Sequence, residues 1–362
     1  MQQAAPVTRA THASSPLKDL KVFAPINAEG ATGPMTEAGR VALPATRSEC
    51  REGRPDFARP VPEDGYIWWY VDAVSDDGRH SMTLILFIGS VFSPYYALAR
   101  RRRRGNPENH CSVNAILYGA SGKRWTMTER GQRALQRDRD TLQIGPSAAR
   151  WENGALIVDI DEWTVPLPRR SRGRIVVRPH VIGSHAVTLD AARRHCWWPI
   201  APCARVSIDF EQPGLRWDGE GYFDTNSGDR PLEADFLRWT WSRGSDQSGT
   251  TIFYDLVDKA GQAHDHAIHV DPITAQTTAV MAPPMAKLPS TGWRIDRAAR
   301  SDADAPPDLI STLEDTPFYA RSLIRQHING NALTTVHEAL SMTRFVHPVV
   351  QCMLPFRMPR RG

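Results

Sequence analysis

From Gly65 onward, apolar and polar positions follow a short rhythm. "GYIWWYVDAV" and "RHSMTLILFIG" are apolar runs of strand length separated by the turn "SDDG", which predicts a β-hairpin. "CSVNAILYG", "RWTMTERG", "TLQIG" and "ARWENGALIVDIDEW" continue the series, the last with the hairpin signal Asn153-Gly154. "GRIVVRPHV" and "HAVTLD" follow. Beyond Pro213-Gly214 the texture resumes in "LRWDGEGYFD", "FLRWTWSRG", "TTIFYDLVD", "AHDHAIHV", "GWRIDRA" and on to "MLPFRMPRRG". Short strands punctuated by turns predict an all-β fold of sandwiches or barrels, with less than the usual third of helix. Helical periodicity is scarce; "LEDTPFYARSLIRQHI" fits a strand or a short helix equally.

The pattern divides the chain. Residues 1–55 are rich in Ala, Pro, Thr, Ser and Gly without a sustained period, as expected of a flexible arm. The ordered part splits at Pro213-Gly214 into two β domains of similar size, 56–212 and 213–362. A hydrophobic share of 41% in 362 residues supplies a sizeable core. Cys50, Cys111, Cys196, Cys203 and Cys352 are odd in number with no CxxC spacing, which argues against a disulfide framework and for a reducing compartment. The longest apolar run, Met82 to Gly89, is far short of the roughly 20 residues of a spanning helix. The N-terminus has no apolar signal core. A cytoplasmic protein is expected, soluble or held at a membrane surface.

Candidate chemistry gathers in two extended segments. Side chains two apart on a strand share a face, so Tyr222 and Asp224 of "GYFDTNSGDRPLE" are neighbours, and so are His195 and Trp197 of "RRHCWWPIAP". Each segment pairs one proton-transfer group with one aromatic ring. The turn residues after Asp224 place it at a strand end, where a barrel has its mouth. The bland reading is open too: an aspartate beside a turn usually bonds turn amides, and a histidine among tryptophans can simply be core.

The strings "DGYIWWYVDAVSDDG", "GSVFSPYY", "HCWWPIAP", "GEGYFDTNSGDRPLE" and "MLPFRMPR" resemble the carotenoid 1,2-hydratases, also called hydroxyneurosporene synthases. The resemblance runs from about Pro60 to Arg361. It implies two consecutive lipocalin-like antiparallel β-barrel or sandwich domains. It also implies an activity: addition of water across the terminal C1=C2 bond of an acyclic carotenoid such as neurosporene or lycopene, giving a tertiary alcohol. The family's acid–base and aromatic positions fall on His195, Trp197, Tyr222 and Asp224. Phe223 stands where some relatives are expected to carry a histidine or other polar residue.

The chemistry of such a reaction is demanding. An isolated alkene needs proton delivery to carbon, so Asp224 must hold its proton near neutral pH. That asks for about three pKa units above the usual 3.9, or roughly 4 kcal/mol of burial or like-charge repulsion. Trp197 and Tyr222 are expected to face the resulting cation at about 1–2 kcal/mol each, and His195 to take the proton of the attacking water. Asp218 and Asp235 are the next acids to consider. No cofactor or metal is required; His264 and His266 share a strand face but lack a third ligand. The run Arg100, Arg101, Arg102, Arg103, Arg104 is either a solvated loop or a contact with anionic headgroups, worth about 1 kcal/mol per residue. "RRSRGR" and "RMPRRG" add to it, and no nucleic-acid motif accompanies the charge. The expected partners are therefore an acyclic carotenoid, water and an anionic membrane surface. The competing functions are a non-catalytic polyene carrier, which needs a cavity but no protonated acid, and a barrel that folds a polyene for cyclisation.

Overall fold

The structure, a computed structural model, describes residues 41–42, 54–119 and 122–361. The flexible arm expected at 1–55, with Cys50, lies almost wholly outside the described residues. Among the described residues, strands make up 57% and helices 10%, so the all-β expectation holds. The first sheet contains β1 (Tyr66–Ser75), β2 (Ser81–Ile88), β3 (Cys111–Gly119), β4 (Gly122–Arg130), β5 (Leu135–Arg137), β6 (Thr141–Ile144), β7 (Ser147–Glu152), β8 (Ala155–Trp163), β9 (Arg170–Pro179), β10 (His195–Gln212) and β11 (Leu215–Gly228). The second contains β12 (Phe236–Asp246), β13 (Gly249–Asp258), β14 (Ala263–Val270), β15 (Asp308–Asp315), β16 (Tyr319–Ile328) and β17 (Asn331–Ser341). Helices are short: α1 (Pro94–Arg101), α2 (Leu232–Asp235), α3 (Met342–Phe345) and α4 (Pro348–Met353).

The turns follow the sequence signals. Gly78 closes the "SDDG" turn at φ +65°, donating its N–H to the Ser75 carbonyl. Asn153 and Gly154 both take positive φ, as the favoured two-residue hairpin turn requires. The ambiguous "LEDTPFYARSLIRQHI" resolves into two antiparallel strands, the end of β15 and the whole of β16, joined at Thr316–Phe318.

Topology relocates the sequence-based division. The order in the first sheet is β4-β3-β2-β1-β11-β10-β9-β8-β7-β6-β5; in the second it is β14-β13-β12-β17-β16-β15. Pro213-Gly214 is thus the hairpin between β10 and β11, inside the first sheet. We propose that the boundary between the two lipocalin-like units lies at α2, between β11 and β12. The tail returns from the second unit to the first, where Arg360–Arg361 pair parallel to β4.

Every residue of β1 is buried. Ile67, Trp69, Val71 and Ala73 enter the core enclosed by the first sheet, with Val158, Ile175 and Ile208. Tyr66, Trp68, Tyr70 and Val74 enter a second core against Trp239, Trp241, Ile252 and Tyr254 of the second sheet. A strand buried on both faces reads as a continuous apolar run without alternation, as "YIWWYVDAV" does. The exception is Asp72, fully buried between the sheets. Its carboxylate accepts from Nε of Arg243 on β12 at 2.9 Å, and Arg321 of β16 stands 3.7 Å away. This ion pair joins the two sheets.

Removing one partner of a buried pair leaves its counter-charge unsatisfied and typically costs 3–5 kcal/mol. Asp72→Ala is expected to lose that much in denaturant unfolding, whereas replacement of exposed Asp209 should change stability by less than about 0.5 kcal/mol. Equal curves for the two variants would deny the pair this role.

Candidate active site

Two Tyr-x-Asp triplets lie side by side. Tyr70-Val71-Asp72 is on β1 and Tyr222-Phe223-Asp224 on β11. The antiparallel register sets Asp224 opposite Tyr70 and Tyr222 opposite Asp72. Because opposite residues share a face, all four side chains point into the space between the sheets. Each phenol donates to the aspartate of its own triplet, Tyr70 to Asp72 at 2.9 Å and Tyr222 to Asp224 at 2.8 Å.

The two carboxyls differ in their remaining partners. Asp72 meets the guanidinium of Arg243. Asp224 meets only neutral donors: Trp197 Nε1–H at 2.9 Å and the Tyr222 hydroxyl, both on Oδ2, and Asn226 Nδ2 at 3.3 Å from Oδ1. Asp224 is 4% exposed. Burial pushes its carboxyl up to about 8, against the pull of the Tyr222 and Trp197 bonds, and the nearby Glu338 and Asp72 charges add to the rise. Two donors on Oδ2 leave Oδ1 to carry the proton of the neutral acid.

Asp224 is not at a strand end. Thr225 to Gly228 continue β11, paired with Trp69 to Tyr66, so the site is mid-sheet and inter-sheet rather than at a barrel mouth. The first unit's own interior is filled by its core residues.

His195 departs from expectation. In the register it faces Gly228, while Asp224 faces Pro199. At about 3.3 Å per residue that sets the two about 13 Å apart along the sheet. Both ring nitrogens are engaged, Nδ1 with the Tyr66 hydroxyl at 2.9 Å and Nε2 with Asp235 Oδ2 at 2.8 Å. A Cβ on Gly228 would stand 2.6 Å from that Nδ1, so the contact depends on the glycine. His195 thereby ties α2 to β1 and does not share a substrate carbon or water with Asp224. Shared strand face implied adjacency only for residues two apart, and these two lie on different strands.

A cavity of about 530 Å³ lies beside the acid, between strands β1–β4, the second sheet and the C-terminal segment. Its walls include Trp68, Tyr70, Phe87, Trp125, Trp239 and Glu338. His195, Trp197, Tyr222 and Asp224 do not line it; Tyr70, which does, is the register partner of Asp224 and packs edge-on to the Tyr222 ring at 6.2 Å. Trp197 and Tyr222 spend their polar atoms on the acid, so the rings that face the cavity are Trp68, Tyr70 and Trp239 instead. Sequence reading did not find Glu338. Its side chain keeps 14% exposure; Arg321 donates to Oε1, and the Tyr70 hydroxyl, 2.9 Å from Oε1 and from Asp72 Oδ2 alike, has one proton to share between them. Burial raises its carboxyl as well. The repeated Tyr-x-Asp spacing was the available signal for Tyr70 and Asp72; Glu338 arrives from 268 positions away and left none.

The other expected sites are separate. His264 bonds Asp258 at 2.9 Å, and burial lowers His266. No cluster of three metal-ligating side chains occurs among the described residues. Arg100 is held by Glu233 at 2.5 Å and lies over the Tyr96 ring, while Arg101 to Arg104 are exposed. Asp218 is exposed, and Asp235 is the partner of His195.

The neutral acid carries a stability cost with a definite sign. Between the unfolded value near 3.9 and about 8, the folded state holds a proton that the unfolded chain lacks. Folding therefore loses about 1.4 kcal/mol per pH unit across that window. Asp224→Asn should remove the slope, its advantage over the natural protein growing from pH 5 to 8 and levelling above. Parallel stability–pH curves would show that Asp224 is ionised in the native state.

The comparisons with known proteins agree with one another. The family model described as Carotenoid hydratase CrtC matches residues 84–362. The acyclic carotenoid 1,2-hydratase of Thiocapsa roseopersicina is 49% identical over 336 residues, covering 92% of this chain and 82% of that protein. The enzyme of the same name from Rubrivivax gelatinosus is 47% identical over 313 residues, 86% of this chain and 77% of that one. The crystal structure of a protein described as AttH from Nitrosomonas europaea superposes with a TM-score of 0.53 at 11% identity, over 80% of this chain and 99% of that one. That likeness is one of fold.

Proposed function

The chain belongs to the carotenoid hydratase CrtC family, and we infer from that premise that it is a hydratase of acyclic carotenoids. Water is added across the terminal C1=C2 bond. A proton goes to C2, the electron pair of the double bond forms the new C–H bond, and the positive charge remains on C1 with its two methyl groups. A water oxygen bonds C1 and releases one proton to the base; once the base has given that proton up to solvent and Asp224 has regained one, the sum is one water added and no net proton consumed. The observation that carries the assignment of the acid is the carboxyl of Asp224, held neutral up to about pH 8 in a site with no cationic partner.

In this reading Trp197 and Tyr222 orient Asp224 through Oδ2 and leave Oδ1 to deliver the proton. Trp68 makes ring contacts with Tyr66 and Phe87. We propose that it turns aside when the polyene end enters, so that C2 reaches the acid. The π-faces of Trp68, Tyr70 and Trp239 stabilise the cation by about 1–2 kcal/mol each in a dry site. Glu338 lines the cavity and accepts the proton of the attacking water; it takes the role expected of His195, which positions β1 and α2 instead. A polyene carrier would have no use for a carboxyl kept protonated against about four pKa units of solvent preference. The substrate is dissolved in lipid, so we place the enzyme on a membrane surface facing the cytoplasm. No helix among the described residues is long and apolar enough to cross a membrane.

Asp224→Asn keeps the shape and removes the proton, so hydration of lycopene or neurosporene should fall at least 10²–10⁴-fold, with polyene binding retained by visible absorbance. The rate of the natural protein should decline above about pH 8, as Asp224 ionises, and fall again in acid, as Glu338 takes up a proton and can no longer act as the base. Glu338→Gln should lower the rate without moving that upper limb. Near-normal turnover by Asp224→Asn, with the upper limb lost in Glu338→Gln, would transfer the acid role to Glu338.

A further inference from the structure

Around the mouth of the cavity the surface is apolar. Phe356 is 77% exposed, Leu167 69%, Val349 61%, Trp293 49% and Met353 38%. Trp293, Met353 and Phe356 themselves line the cavity, and Leu167 and Val349 adjoin the lining residues Pro166 and Val350. Three separate stretches of chain, the loop between β8 and β9, the loop carrying Trp293, and α4 with the residues after it, thus bring large side chains to one opening. Scattered exposed apolar residues are ordinary, but a contiguous ring of them marks an interaction surface.

Cations stand on the same rim. Lys123 and Arg357 line the opening. Arg344 holds the Trp293 loop by donating to the Trp293 and Arg294 carbonyls at 2.6 and 2.8 Å. Arg169 and Arg294 are exposed beside it. Among the nearby acids, Glu314 is paired with Lys123 at 2.7 Å, Asp315 accepts the Trp293 N–H at 3.2 Å, and Asp296 is exposed. The balance is positive. An apolar centre with a basic rim matches the acyl and anionic headgroup layers of a bilayer. A second copy of this chain matches it less well, because a two-fold interface would set each basic rim against itself.

We propose that this mouth, formed by Leu167, Trp293 and residues 346–358, seats on an anionic bilayer and draws the polyene directly from it into the cavity. The proposal rests on the carotenoid hydratase reading for the chemistry of what is taken up, but docking itself does not require turnover. The exposed arginines after α1 are not part of this surface. Neither α1 nor the residues 102–104 after it line the cavity, and Arg100 is already committed to Glu233.

The test compares flotation with vesicles of equal phosphatidylcholine and phosphatidylglycerol for the natural protein, Leu167→Asp with Val349→Asp, and Arg101→Ser through Arg104→Ser together. Leu167 and Val349 lie on the rim and not in the cavity wall. Their double replacement should weaken vesicle binding at least tenfold, since each buried aliphatic side chain contributes on the order of a tenfold factor. Turnover of substrate delivered in vesicles should fall with it, while turnover of detergent-dispersed substrate stays unchanged. The arginine variant should float like the natural protein. Bromine-labelled acyl chains should quench a fluorescence component that Trp293→Phe lacks. Undiminished flotation of the double variant, or loss of flotation in the arginine variant alone, would overturn the proposal. So would a dimer in sedimentation that Leu167→Asp with Val349→Asp dissolves. Absence of turnover in both presentations, with flotation as expected, would strike the hydratase reading and leave the docking surface standing.

Discussion

Strand β1 and the stretch 221–228 of β11 that pairs with it have no wet face, and most of what the site can do follows from that. One side of the pair completes the first unit's core; the other packs on the second sheet. Any polar side chain on the inner face must therefore find a partner or change its charge state. Four such groups sit there in a square, two tyrosines and two aspartates in antiparallel register. The fold resolves the same demand in two opposite ways. Asp72 is given Arg243 and becomes a structural ion pair between sheets. Asp224 is given an indole, a phenol and an amide, none of which carries charge, and keeps its proton. Two chemically identical carboxyls on diagonal positions of one strand pair acquire different functions from their environments alone.

Much of this architecture was legible in the chain. Strand-length apolar runs and the turns at Gly78 and Asn153-Gly154 predicted the hairpins, and the spacing of Tyr222 and Asp224 placed them on one face. Turn chemistry and strand periodicity are local, so a single sequence expresses them. The misreadings were of a different kind. "TNSGDR" looks like a turn, yet Thr225 to Gly228 remain strand because β1 offers them a full set of backbone partners. Pro213-Gly214 looks like a domain boundary but is only a hairpin, since its flanking strands continue one sheet. His195 looked like a partner of Asp224, but register, which sequence does not state, set it four positions away along the sheet.

What could not be read at all is the meeting of distant strands. Glu338 and Arg321 reach Tyr70 across 268 and 251 positions, brought there by the packing of one sheet on another. "TVHEALS" carries no mark that its glutamate will face a cavity. The Tyr-x-Asp repeat is the intermediate case: "YVD" and "YFD" are visible as strings, but their cross-pairing becomes meaningful only once β1 and β11 are known to be neighbours.

The apolar mouth and the neutral acid answer one physical problem from its two ends. A carboxyl can protonate an unactivated alkene only where water does not compete for the proton, so the acid must be deep and dry. A depth of that kind excludes any substrate that arrives hydrated, and equally gives a hydrophobic chain no reason to leave its lipid unless the path inward is apolar throughout. The aromatic wall from Trp293 and Phe356 through Trp125 to Trp68 and Tyr70 gives the path a predominantly apolar lining, and its Tyr70 is the register partner of Asp224. The same dryness lowers stability across the neutral range, because the folded state must hold a proton that the unfolded chain would release. A more stable protein with an ionised Asp224 is physically accessible, through a single cation beside it, as Arg243 beside Asp72 demonstrates. That cation is absent from the described surroundings of Asp224, and its absence is what leaves the acid able to give its proton away.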